Sequence, residues 1–277
     1  MMKFYKMHGI GNDYIYFDCM KESIAEPEKL SIRLSDRHFG IGGDGIILLC
    51  PSAVADIKMR MFNADGSEGK MCGNGVRCLS KLAHDLGYIE GDTCTVETLS
   101  GIKKLQFFFG NDGKVSSVRV DMGAPKLKGS EIPSTFTGEK VIGEPLVIDG
   151  VEYKVTLVNM GNPHCVVFAD PDTVGIESLG KKFENNKVFP DRVNTEFVKV
   201  TGKNRLKMRV WERGSGETFA CGTGACAAAV AAVLNGYCDK NEKITVSLLG
   251  GELTIEYTDT VYMTGTATLV YTGEIEI

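Results

Sequence analysis

Two cysteines of this chain stand in the same setting. Cys221 opens the sequence Cys-Gly-Thr-Gly, and an alanine-rich apolar run, Ala225–Leu234, follows before Gly236-Tyr237. Alanine is a strong helix former, the run has no polar face, and a glycine just past its end suits a helix stop. Cys221 is therefore placed at the mouth of a helix buried all round. Free backbone N–H groups and the helix dipole favour an anion there, so a lowered thiol pKa and an available thiolate are expected.

The segment Arg60–Tyr88 repeats Arg209–Tyr237 without a gap. Cys72 falls on Cys221, Arg60 on Arg209, Glu68 on Glu217 and Gly87-Tyr88 on Gly236-Tyr237, at a constant offset of 149 residues. Near that offset Gly11-Asn12 meets Gly161-Asn162, and Asp44 meets Asn194. A period this long marks a duplication into two similar domains rather than a solenoid. Each domain then delivers one cysteine at one helix mouth.

Two equivalent thiols suit a stereochemical inversion. One thiolate removes a proton from a tetrahedral carbon, and the other thiol returns a proton to the opposite face. Redox exchange normally uses Cys-x-x-Cys, which is absent here. A Cys–His hydrolase with His164 as base leaves the second cysteine idle. An amino-acid α-carbon needs its carboxylate held and its developing charge stabilised. Backbone N–H groups at Gly73-Asn74 and Gly222-Thr223 suit both tasks. Asn12, Asn63, Asn162 and Asn194 offer amides to a zwitterion. Glu212-Arg213 offers one charge of each sign to a distal ammonium and carboxylate, with arginine suited to bidentate carboxylate binding.

The rest of the chain must position these groups. At 277 residues it suits one large or two medium domains. A net charge of −5 argues against nucleic acid or anionic membrane as a partner. Met1–Ile15 lacks the apolar core of a signal peptide, and no apolar run approaches a membrane span, so a cytoplasmic protein is expected. Nine cysteines are an odd number and fit no complete disulfide framework. Cysteine and histidine spacings match no common zinc site, and no metal is expected.

Strands are read at Lys3–Lys6 and Tyr14–Phe17 about a glycine turn, and a helix at Pro27–Phe39. Gly40–Gly45 matches G-x-G-x-x-G, but a helix precedes it and the strand Ile46–Leu49 follows. That is the reverse of the dinucleotide-binding order, so a tight turn is expected instead. Ile57–Asn63 is a strand. Val76, Leu79, Leu82, Ala83 and Leu86 mark one core face of the first cysteine helix. Thr93–Leu99, Lys103–Phe109 and Val115–Asp121 read as a meander. Met122–Pro133 is the expected link. Strands follow at Glu152–Val158, Cys165–Phe168, Thr195–Val200 and Leu206–Trp211, with a helix at Ile176–Lys187. Four more strands finish the chain after the second cysteine helix. The expected domains are 1–122 with Cys72 and 123–265 with Cys221, the first completed by a strand within 266–277.

The motifs MHGIGNDY, FNADGSE with MCGNGVRC, GNPHCV, RVNTEFV, and WERGSGET with ACGTGACA occur in that order. Together they closely resemble the diaminopimelate epimerase family, over nearly the whole chain. The resemblance implies an α/β fold of two pseudo-symmetric domains, each a mixed, barrel-like sheet wrapped around a central helix, with the active site in the cleft between them. It implies an isomerase that interconverts LL- and meso-diaminopimelate in lysine and peptidoglycan precursor biosynthesis, without pyridoxal phosphate or any other cofactor. By motif match Cys72 and Cys221 are the acid/base residues, and His164 and Glu212 support them. Substrate contacts carried over are Asn12, Asn63, Gly73, Asn74, Asn162, Asn194, Glu212, Arg213, Gly222 and Thr223. Some members carry glutamine after the aspartate of the glycine-rich loop; here Gly45 follows Asp44, so a contact there is missing or replaced. The family usually forms homodimers. The alternative is a proline or hydroxyproline racemase of the same two-cysteine fold; Glu212-Arg213 and the asparagines favour a long, doubly zwitterionic substrate.

Overall fold

The computed structural model describes residues 1–276. The chain divides into two compact units, one of Met1–Asp121 with the chain end from Thr264, the other of Met122–Met263. Ile277, the last residue of the strand expected to complete the first domain, lies outside the described residues.

Unit 1 runs β1 (Met2–Gly9), β2 (Asn12–Asp18), α1 (Pro27–Ser35), β3 (Gly45–Cys50), β4 (Ile57–Asn63), β5 (Glu68–Gly69), α2 (Gly73–Asp85), β6 (Thr93–Thr98), β7 (Gly101–Phe109) and β8 (Val115–Gly123). Unit 2 runs β9 (Glu144–Ile148), β10 (Val151–Asn159), β11 (Pro163–Phe168), α3 (Ile176–Glu184), β12 (Asn194–Gly202), β13 (Arg205–Glu212), β14 (Gly216–Glu217), α4 (Gly222–Leu234), β15 (Lys243–Leu248) and β16 (Gly251–Tyr257). β17 (Val261–Thr266) then carries the chain back, and β18 (Thr268–Ile275) joins unit 1.

The two pairing patterns coincide. In unit 1, β1 pairs antiparallel with β18 and β2, β2 parallel with β3, β3 antiparallel with β4, β4 parallel with β6, and β6 antiparallel with β7. In unit 2 the same alternation runs from β9 through β10, β11, β12, β13 and β15 to β16. β18 thus fills in unit 1 the place that β9 fills in unit 2. Each mixed sheet wraps a central helix. α2 packs on β1, β2, β3, β4, β6 and β7, and α4 on the six matching strands of its own unit. Two similar units, each a mixed sheet around a central helix, are what the family resemblance implies.

The central strand explains the sequence pattern. α1 lies against β3 from the side opposite α2, so β3 is covered on both faces. Its Gly-Ile-Ile-Leu-Leu run is accordingly apolar without alternation. Ile46 and Leu48 join Phe17, Leu30, Leu34 and Phe62 in one apolar cluster under α1. The matching cluster of unit 2 gathers Cys165, Val167, Phe183, Phe197 and Trp211 under α3. Burying each such side chain contributes about 1.5–3 kcal/mol.

Several boundaries differ from the sequence reading. α1 stops at Ser35, because the Asp36 carboxylate accepts from the backbone N–H groups of His38 and Phe39 and turns the chain. α3 stops at Glu184; Asn185 closes it by donating its side-chain N–H to the Lys181 carbonyl. β9 had no sequence signal as a strand, since Pro145 cannot donate to a ladder. α2 is not an amphipathic helix with one core face: every residue from Gly73 to Ala83 is buried, including Arg77 and Lys81. Arg77 is accommodated by backbone acceptors, the carbonyls of Gly73 and Thr266. Among the described residues no helix is long and apolar enough to cross a membrane.

Candidate active site

Each unit places its cysteine at the N-cap of a thirteen-residue helix, Cys72 before α2 and Cys221 before α4. Both cap residues have extended backbones. Both helices also end alike. Gly87 and Gly236 take positive φ, and Tyr88 and Tyr237 donate back to the Ala83 and Ala232 carbonyls. That is the six-to-one closure in which glycine is favoured. The loop before each cysteine is clamped the same way. Arg60 makes a two-pronged contact to Glu68 (2.8 and 3.2 Å), and Arg209 one to Glu217 (2.6 and 2.9 Å).

The second glycine of each Cys-Gly-x-Gly is required by contact. A Cβ on Gly75 would lie 2.6 Å from Ile47 Cδ1, and a Cβ on Gly224 2.7 Å from Glu196 Oε1. Ile47 and Glu196 are themselves 149 residues apart, so they are repeat partners beneath the two helix mouths. One is apolar and the other is a carboxylic acid.

In unit 1 the Cys72 thiol donates to Asn12 Oδ1, and its sulfur accepts from the Gly75 N–H, both at 3.3 Å. Asn12 is held in turn: its Nδ2 donates to Asp44 Oδ2 at 2.7 Å. Asp44 also accepts from the Asp13 N–H and from Arg37. Burial, with the nearby Asp13, pushes the Asp44 carboxyl above its ordinary value. Burial works the same way on Asp13, but Arg37 and Lys6 outweigh it and hold that carboxyl low. Asn63, at the end of β4, donates to Ser67 Oγ at 3.0 Å and orders the loop toward Cys72. Gly73 and Asn74 form the first turn of α2, with Asn74 buried. Gly45 is fixed by packing. Any Cβ there would lie 2.0 Å from the Phe62 carbonyl oxygen, so no glutamine fits without moving β3 from β4.

In unit 2 Cys221 is buried, and its sulfur lies 3.5 Å from Thr223 Oγ1. Gly222 and Thr223 form the first turn of α4. The lowered thiol pKa expected at this helix mouth is not what the structure supports. Burial, joined by the Glu212 and Glu196 carboxyls, pushes the Cys221 thiol well above its ordinary value. Desolvation and two like-signed neighbours outweigh the helix terminus. His164, fully buried on β11, places Nδ1 2.6 Å from Glu196 Oε1 and Nε2 3.0 Å from Asn162 Oδ1. Both ring nitrogens are engaged, which leaves neither for a Cys–His hydrolase. Burial pushes the Glu196 carboxyl up, opposed by His164.

Glu212 ends β13 and accepts from Thr218 Oγ1 at 2.5 Å. Asn194 is buried at the start of β12, where it donates to the Pro163 carbonyl and accepts the Arg213 backbone N–H. The Arg213 guanidinium is exposed and donates to the Asp191 carbonyl at 2.8 Å. Glu184 supports this turn from α3. Its carboxylate accepts from Trp211 Nε1 (2.6 Å), Gly214 N (2.9 Å) and Arg192 Nη1 (3.1 Å).

The structure therefore puts Asn12 on the Cys72 thiol, Gly73 and Asn74 in the turn that Cys72 caps, and Asn63 at the start of the loop before it. In unit 2 Glu212 and Glu196 lie near Cys221, Gly222 and Thr223 form the turn that Cys221 caps, His164 links Asn162 to Glu196, and Asn194 holds the Arg213 backbone. Asp44, Glu184 and Glu196 were not singled out as site residues in the sequence reading. The signal for Glu196 was a lone acid in a strand otherwise free of charge over its buried half. For Asp44 it was the repeat match to Asn194.

Residues 4–128 and 156–270 match the family model described as diaminopimelate epimerase. A diaminopimelate epimerase of Acetivibrio thermocellus is 52% identical over 280 residues, covering 100% of this chain and 99% of its own. One of Methanococcus maripaludis is 52% identical with both chains covered in full. Among solved structures, a PhzF-family phenazine biosynthesis protein of Bacillus anthracis superposes with a TM-score of 0.71 at 17% identity, over 100% of this chain and 99% of that one. A probable proline racemase of Agrobacterium radiobacter superposes with a TM-score of 0.72 at 14% identity, over 100% and 93%. At those identities the two structures speak for the fold alone.

Proposed function

The chain belongs to the diaminopimelate epimerase family, and from that premise we propose that it interconverts LL- and meso-diaminopimelate with Cys72 and Cys221 as its two acid/base groups. It is an isomerase of lysine biosynthesis, and its substrate is a small molecule. The reading needs no cofactor. The observation that carries it is the repetition itself: one cysteine caps each of two buried helices, inside the same clamped strand–loop–helix frame.

In one direction a thiolate takes the α-proton while the other thiol protonates the opposite face. The enzyme is left with the two roles exchanged, so the reverse reaction needs no further group. Backbone N–H groups at Gly73-Asn74 and Gly222-Thr223 receive the α-carboxylate, on which charge grows as the α-proton leaves. Burial makes the Cys221 thiolate scarce, but the same burial makes it a stronger base once formed. Asn12 orients the Cys72 thiol. His164 acts through its pairing with Asn162 and Glu196, and Glu212 through its charge near Cys221. Arg213 takes a distal carboxylate, and Asn194 fixes its backbone. Asn63 and Asn162 complete the polar lining. By the same resemblance the protein is a cytoplasmic homodimer.

The test is incubation with LL-diaminopimelate in heavy water, followed by chiral separation and mass spectrometry. One deuterium at the inverted α-carbon of the meso product is expected. Turnover of proline with none of diaminopimelate would overturn the reading.

A further inference from the structure

Unit 1 holds a second pair of cysteines outside this machinery. Asp18 of β2 pairs in parallel with Leu49 of β3, and the next residues along are Cys19 and Cys50. The Cys19 N–H extends the ladder by donating to the Leu49 carbonyl at 2.8 Å. Neighbouring strands lie about 4.8 Å apart, within the Cα separation of about 4.4–6.8 Å that a disulfide accepts. Both side chains face one apolar cluster, as do Phe17 and Leu48 two residues before them. The two thiols are neighbours that shift each other's acidity. Cys19 is buried and Cys50 half-buried. A cavity of about 400 Å³ opens on the pair, lined also by Lys21, Ser23, Pro51, Lys58 and Arg60.

We infer that Cys19 and Cys50 form a thiol–disulfide exchange site that takes a low-molecular-weight disulfide from this cavity and closes to an intramolecular disulfide. Both cysteines line the cavity, and Cys50 is the attacking sulfur because it is half-buried where Cys19 is buried. The neighbouring Cys19 thiol, with Arg60 and Lys58 nearby, holds the Cys50 thiol below the ordinary value against the effect of burial. The Cys50 neighbour, with burial, pushes Cys19 up. The Cys50 thiolate attacks one sulfur of the small disulfide, whose other half leaves as a thiolate and takes up the proton Cys50 lost. The Cys19 thiol then gives up its proton, attacks the Cys50 sulfur and expels the second small thiol. Two protein thiols are oxidised to one disulfide, and the small disulfide is reduced to two thiols.

The test incubates the full chain with glutathione disulfide, blocks free thiols and maps the peptides. A Cys19–Cys50 linkage is expected in the wild-type chain, a readout that does not depend on any variant folding. Cys19→Ala should stop at a Cys50–glutathione mixed disulfide, and Cys50→Ala should leave Cys19 reduced. The inference fails if Cys50 stays reduced at a concentration that modifies other cysteines. It fails equally if wild-type Cys50 retains glutathione without closing onto Cys19.

Discussion

The Glu196 carboxylate lies against the first turn of the helix that Cys221 opens, so that a methyl group on Gly224 would stand 2.7 Å from Glu196 Oε1. Gly224→Ala must therefore displace the acid that holds His164. We expect a loss of stability of about 1–3 kcal/mol and a fall in kcat/KM of at least roughly tenfold, about 1.4 kcal/mol of transition-state stabilisation. Urea unfolding and initial rates measure the two. A variant with unchanged rate would show that the Glu196–His164 arrangement has no part in turnover.

Cys72→Ala and Cys221→Ala should each abolish epimerisation while circular dichroism stays native, since neither half of a two-group proton transfer is dispensable. Cys78→Ala and Cys226→Ala, on the buried flanks of the same helices, should keep most activity. A folded Cys72→Ala enzyme with the parental rate would end the two-thiol mechanism.

The raised Cys221 pKa has a definite sign. The folded value lies above the unfolded one, so the stability this group contributes is fully present below the unfolded thiol value, about 8.5. That contribution is lost as pH rises toward the folded value. Alkylation of Cys221 by iodoacetamide in the ligand-free protein should be slower than that of free cysteine at neutral pH and should still be climbing above about pH 9. Peptide-resolved labelling against pH checks this; a plateau near neutrality would contradict it.

Arg213→Met should raise KM and lower kcat/KM for diaminopimelate, because a substrate carboxylate loses its partner in the bound state. Steady-state kinetics decide. Unchanged kcat/KM would reduce Arg213 to a surface residue that happens to reach the Asp191 carbonyl.

Glu184 touches the turn that carries Glu212 and Arg213 through Trp211 and Gly214. Glu184→Ala leaves the buried indole N–H of Trp211 without its acceptor, and a stability loss of about 1–3 kcal/mol is expected. Glu184→Gln keeps an oxygen in place and should recover part of that. If the turn is what Glu184 positions, KM should rise in Glu184→Ala and fall back in Glu184→Gln, whereas a purely structural role would move melting temperature alone.

The fold was legible where periodicity and repetition spoke together. The Cys-Gly-x-Gly repeat located both central helices, and the apolar run Ile46–Leu49 marked a strand; that α1 and α2 cover both its faces is seen only in the structure. What stayed hidden depended on neighbours distant in sequence. Only one face of α2 was read as core, from Val76, Leu79, Leu82, Ala83 and Leu86, yet Arg77 too is buried, against the carbonyl of Thr266 near the far end of the chain. The helix-mouth argument foresaw an acidic thiol at Cys221 because it counted the helix and not what lies beneath it. Only the folded sheet brings Glu196 there, and only α3 brings Glu184 to Trp211. In Thr195–Val200 the lone acid over the buried half is a signal, but no local pattern says that it faces a thiol.

The pairing of β1 with β18 sets an order of assembly. Synthesis delivers Met2–Gly9 well before its partner Thr268–Ile275. Until β18 has left the ribosome, β1 has β2 on one side and an open row of backbone donors and acceptors on the other, an invitation to wrong pairing. Unit 2 is drawn from one continuous stretch and has its equivalent strand, β9, in hand from its start. The half of the protein that is made first is the half that must wait to be finished.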